Sequence, residues 1–71
     1  MNRNEIRYKL ISTLLQADDP LTLNELIVRS KIAGREAFPV LKEMVSDHLV
    51  VEELIPERPA PHYYWAARWE E

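Results

Sequence analysis

With 71 residues, 46% hydrophobic and 30% charged, the chain has room for one small domain and a composition that excludes disorder. No apolar run reaches the roughly 20 residues of a membrane-spanning helix, Met1-Asn2-Arg3-Asn4-Glu5 has no secretory character, and a chain without cysteine has neither a disulfide framework nor thiolate metal sites; a cytoplasmic location is expected. The net charge of −3 opposes the basic footprint through which small nucleic-acid binders attract phosphate.

Ile6, Leu10, Ile11, Leu14 and Leu15 recur at helical spacing behind Asn2 and Glu5, which have the form of a capping box, so the spacing predicts a first helix over Asn2 to Gln16. Asp18-Asp19-Pro20 stops it. Thr22 and Glu25 form a second capping box, flanked by Leu21 and Leu26 at the positions of a hydrophobic staple, and a second helix follows from Leu23 to about Ser30. Lys31 to Gly34 is a short turn holding the only glycine. A third helix from near Arg35 to about Asp47 places Ala37, Leu41, Met44, Val45 and His48 on one buried stripe. Pro39 conflicts with a regular start, because it removes a backbone donor and crowds the preceding turn; an irregular first turn, or a start near Phe38, is expected. Leu49 to Ile55 and His62 to Ala67 are rich in β-branched and aromatic residues and predict a two-stranded hairpin. Its loop, Pro56 to Pro61, carries three prolines, which predict a stiff, extended connection.

In this order of elements the third helix is the second half of a helix-turn-helix, whose outward residues address the major groove. Its outward arc holds Arg35, Pro39, Lys42 and Ser46 beside Glu36, Glu43 and Asp47, and the hairpin loop adds Arg58. These five, Arg35, Pro39, Lys42, Ser46 and Arg58, are the candidate DNA contacts, although the helix arc is locally acidic. Arg3, Arg7 and Lys9 on the first helix read as solvated surface, and Arg58 could equally pair with Glu57 or Glu53. Tyr63, Trp65 and Trp69 alternate with Tyr64 and Ala66 along the last strand and its continuation. Part of this aromatic surface must close the core, and the excess, with Tyr8, is a candidate interface for a homodimer or another protein. His48 and His62 match no catalytic triad and no H-x₃-H or H-E-x-x-H spacing. No enzyme activity, catalytic residue, metal or cofactor is expected; His48 suits a helix C-terminal position usually given to glycine, and His62 the start of a strand.

Leu23, Leu26 and Ile27, Ile32, Ala37, Leu41 and Met44, and Leu49-Val50 are spaced as in the core of the winged helix superfamily, and residues 5 to 67 resemble in particular its small bacterial and phage regulators of the MarR or ArsR type. The resemblance implies an α+β winged helix-turn-helix with three helices and a two- or three-stranded antiparallel sheet. It further implies a small transcriptional regulator that binds double-stranded DNA as a dimer. Pro59-Ala60-Pro61 with Trp65 also resembles the wing of Z-form nucleic-acid-binding domains, but Phe38 and Lys42 stand where that family carries asparagine and tyrosine. Tyr64 to Arg68 is similar to the aromatic end of small winged helix proteins of ferrous iron transport, without their wing cysteines. The acidic balance supports an alternative in which the third helix and wing, or the aromatic tail, dock on a partner protein with no direct DNA contact.

Overall fold

A computed structural model describes residues 1–68 as three helices and a three-stranded antiparallel sheet. The helices are α1 (Arg3–Gln16), α2 (Leu23–Ser30) and α3 (Gly34–Ser46); the strands are β1 (Leu21–Thr22), β2 (Val50–Glu53) and β3 (His62–Trp65), followed by a single 3₁₀ turn, Ala66–Arg68. Both capping signals are used. Asn2 Oδ1 accepts from the Glu5 amide at 2.9 Å while Asn2 Nδ2 donates to the Glu5 carboxylate at 2.8 Å. Thr22 and Glu25 satisfy each other reciprocally, at 3.2 Å and 2.9 Å, so two amides that would otherwise be orphaned at the start of α2 have partners. The bond from the Thr22 amide is the main reason the Glu25 carboxyl lies below its ordinary pKa. Leu21 and Leu26 are both buried at the staple positions.

The α2–α3 turn takes its positive φ at Lys31 (63°), whose amide caps Ile27 at 2.9 Å. Gly34 keeps a negative φ; a Cβ there would sit 3.0 Å from Ile27 Cδ1, so a larger residue would require that side-chain tip to shift by a few tenths of an ångström. The expected disruption by Pro39 does not occur: α3 starts at Gly34, one residue earlier than Arg35, and runs through Pro39 to Ser46. The physical reason is placement. Pro39 and Arg35, one turn back, are both exposed, so water can reach the carbonyl that proline leaves without an amide donor. At the other end the Leu49 amide bonds Met44 O and the His48 amide bonds Val45 O, both at 3.0 Å, with His48 at φ 63°. This is a Schellman closure with histidine in the usual glycine position. His48 is therefore exposed and does not belong to the buried stripe; Val40 takes its place beside Ala37, Leu41 and Met44.

β3 is the central strand. It pairs with β2 from Val50↔Trp65 to Glu53↔His62 and with β1 at Leu21↔Tyr63 and Thr22↔His62. Both hairpin strands are shorter than their sequence pattern, because Leu49 is used to close α3 and the chain coils after Trp65. Nor is the hairpin loop extended. The Arg58 amide donates to Ile55 O at 2.9 Å, a turn with Pro56 in the second position, where its fixed φ fits. One apolar cluster unites the elements: Leu10, Leu26, Leu41 and Met44 are fully buried against Ile32, Val50 and Tyr63, each large side chain contributing roughly 1.5–3 kcal/mol. Among the described residues no helix is long and apolar enough to cross a membrane.

Restoring the missing amide should stabilise the chain. Pro39→Ala is expected to raise the unfolding free energy by about 2 kcal/mol, the helix-interior penalty of proline less the unfolded-state entropy it removes. Urea titration followed by circular dichroism reads the shift, and an unchanged or lower midpoint would contradict an uninterrupted α3 at that position.

Candidate binding surface

The outward face of α3, the N-terminus of α2 and the hairpin loop border one groove of about 490 Å³, lined by Leu23, Phe38, Lys42, Ala60, Pro61 and Tyr63 among others. Helical spacing explains the α3 side, since Phe38 and Lys42 lie one turn apart and the Lys42 ammonium sits 6.0 Å from the centroid of the Phe38 ring. Lys42 Nζ also meets Glu52 Oε2 of β2 at 3.2 Å, and the same oxygen accepts the Tyr63 hydroxyl at 2.6 Å. The Tyr63 hydrogen bond, helped by Lys42, holds the Glu52 carboxyl below its ordinary pKa. Burial first, and the adjoining carboxylate second, push the Tyr63 phenol well above its ordinary value. Lys42 is thus a half-neutralised cation. Tyr63, expected at an interface, is 3% exposed; its ring belongs to the core and cannot meet a partner.

The other candidate contacts separate into two groups. Arg35, Pro39 and Ser46 are placed on α3, with Arg35 and Pro39 exposed and Ser46 at its last turn, and no hydrogen bond or ion pair of the Arg35 side chain is found among the described residues. Glu43, placed by periodicity on the same arc, turns instead to α1, where Arg3 and Arg7 both reach its carboxylate, Arg7 at 3.2 Å. Arg3 and Arg7 are therefore struts between helices and not merely solvated surface. Arg58 lies in the hairpin loop, with a guanidinium nitrogen 3.4 Å from His62 Nε2; its bond is to a histidine and not to Glu57 or Glu53. Of the remaining interface candidates, Tyr8 is 74% exposed on α1, Trp65 is half-buried against the core, and Trp69 lies outside the described residues.

Phe38 and Glu52 are functional candidates that the sequence pattern does not single out. Phe38, 44% exposed, had a local signal, because it lies three residues after Arg35 and four before Lys42. Glu52 had none, since its pairing with Lys42 depends on how β2 folds back against α3. Among the described residues no group of three or more histidine, aspartate or glutamate side chains is arranged to hold a metal ion. The chain matches no protein-family model, no curated protein and no solved structure.

The Tyr63–Glu52 bond has a pH signature. Glu52 has its pKa lowered by folding, so its contribution is present above the ordinary carboxylate range and is lost as pH falls through the folded value. Tyr63→Phe should therefore cost about 1–2 kcal/mol near neutrality, and the gap to the parent should narrow below about pH 4. Chemical denaturation at a series of pH values checks this; a gap independent of pH would mean that the hydroxyl does not act through the carboxylate.

Proposed function

We propose that this chain is a winged helix protein, with α2 and α3 as its helix-turn-helix and the β2–β3 loop as its wing, and that it is a small cytoplasmic DNA-binding regulator acting as a homodimer. One observation carries the reading: the N-terminus of α2, the outward face of α3 and the hairpin loop meet around a single groove, the three elements that such a module turns toward a duplex. Arg35, exposed in the first turn of α3, takes the position from which base edges or phosphates are reached. Pro39 and Ser46 are assigned to the same contact although they lie on α3 outside the groove. Lys42 lines the groove and would become available by giving up Glu52, and Arg58, which borders the neighbouring polar cleft, would do so by giving up His62. The dimer contact is assigned to the outer face of α1, where Tyr8 and Leu15, seven residues apart, are exposed.

Arg35→Glu is the cleanest test, because that side chain supports no contact found within the described fold. It should weaken binding to duplex DNA by about tenfold or more, within the roughly 1–3 kcal/mol of an arginine contact, with unchanged thermal stability. Anisotropy titration at low salt measures both proteins. Parent protein that fails to bind any duplex there, or an Arg35→Glu variant that binds equally well, removes the proposal.

The mostly apolar walls of the groove favour a second reading, a protein-docking module with no DNA contact, in which Phe38 anchors the partner. It predicts that Phe38→Asp abolishes recovery of a partner that survives nuclease treatment. Recovery insensitive to Phe38→Asp, or lost with nuclease, argues against it.

A further inference from the structure

His62 opens β3 and is 5% exposed, yet both of its ring nitrogens are occupied. Nδ1 lies 3.0 Å from Ala60 O. A carbonyl can only accept, so Nδ1 carries the proton. Nε2 lies 3.4 Å from the Arg58 guanidinium, which can only donate, so Nε2 offers its lone pair. Two partners from one proline-rich loop thereby select a single tautomer of the neutral imidazole. Arg58 is the only cation between Pro56 and Pro61, and that ring is its one side-chain partner found among the described residues.

The polar cleft around this pair explains what protonation would do. It is lined by Asp18 and Asp19 from the α1–β1 loop, Glu25 and Arg29 from α2, and Glu57 and Arg58 from the hairpin loop, and Glu53 of β2 stands opposite His62 in the strand register. Carboxylates outnumber arginines around the ring, and Glu25 is close enough to respond to charge on His62. A proton on Nε2 would place two donors and two positive charges face to face. The cleft carboxylates would attract the imidazolium, whereas Arg58, exposed in the hairpin loop, can leave.

We propose that His62 is a positioning residue for Arg58: as a neutral ring it latches the guanidinium against the hairpin loop, and on protonation it releases that arginine to a phosphate of the bound duplex. The latch itself is a property of the free protein; the increase in affinity rests on the DNA reading above. Histidine changes charge between about pH 5 and 8, so binding should strengthen on mild acidification. Each additional phosphate that the protein neutralises should also steepen the dependence on log salt by about 0.9.

Two measurements on the full chain test the two halves. Ring nitrogen shifts of His62 and guanidinium shifts of Arg58, followed by NMR without DNA with the exposed His48 as internal reference, should show the Nδ1–H tautomer at high pH and an Arg58 transition that tracks His62 protonation. The opposite tautomer, or an Arg58 signal indifferent to that titration, overturns the latch whether or not DNA binds. Anisotropy titration of a labelled duplex at the two ends of the same pH range should show an affinity increase about fivefold larger in the parent than in His62→Gln, and the salt slope of that variant should lack the added phosphate. Arg58→Gln, altered only in the exposed loop, serves where the buried change impairs folding and should lose the same increase. An equal increase in the parent and both variants overturns the release step; no duplex binding at either end removes the DNA reading, while the spectra still decide the latch.

Discussion

Tyr63 is the side chain through which the helical layer and the sheet become one structure. It sits in the middle of the central strand, with β1 on one side at Leu21 and β2 on the other at Glu52. Its ring is in the core and its hydroxyl ends at the edge of the groove. A phenol is suited to that place because it has a large apolar body and a single polar tip that must find a partner when water is excluded. The partner chosen, Glu52, also holds Lys42 of α3. One carboxylate oxygen therefore joins sheet and helix at the edge of the groove that Lys42 lines.

Charge elsewhere is used in the same way. Arg3 and Arg7 tie α1 to α3 through Glu43, and the Arg68 guanidinium donates to the carbonyls of Leu14 and Leu15, fastening the last described turn to the end of α1. Exposed pairs of this kind contribute less than about 1 kcal/mol each, so the apolar cluster carries most of the stability. Their larger effect is on what remains available to a ligand. A chain of net charge −3 that commits several cations to internal struts leaves a sparse positive surface, to which Lys9 on α1, Arg29 and Lys31 at the end of α2 and Arg35 at the start of α3 contribute.

The helices were legible in the sequence because their signals are local. Asn2 with Glu5 and Thr22 with Glu25 act over three residues; the second pair forms the full reciprocal box, whereas in the first the Glu5 carboxylate accepts from the Asn2 side-chain amide in place of its backbone amide. The positive φ at His48 was legible for the same reason: a helix end has to be closed, and the apolar Leu49 follows at the position that contacts the core. Pro39 misled because the penalty of a proline in a helix implies an irregular turn or a later start, whereas here the helix continues and solvent can reach the Arg35 carbonyl left without a donor. The hairpin boundaries misled differently. Leu49 and Ala66 fall inside runs that read as strands, but Leu49 is needed by the helix closure, and the Ala66 amide bonds Leu49 O as the chain coils away. The partners of Lys42 and Glu43 were illegible in principle, since pairing across elements has no fixed spacing. For Arg58 a clue existed, because His62 lies only four residues on.

On the proposed DNA-binding reading, an acidic module of this kind would hold a duplex only under particular conditions. Long-range attraction is weak here, so affinity has to come from close contacts that form only once the groove is aligned. On that reading such contacts would require the struts to exchange partners, with Lys42 leaving Glu52 for phosphate and Arg58 leaving His62. Each exchange exposes a carboxylate or an imidazole that the cation had been satisfying, and that loss offsets part of the new interaction. A single copy would then bind feebly. In the proposed homodimer, two copies would place two such surfaces on one duplex and make the second engagement intramolecular. Dimerisation would then be a condition for useful affinity, and on that reading the exposed Tyr8–Leu15 face would matter to DNA binding as well as the residues of α3.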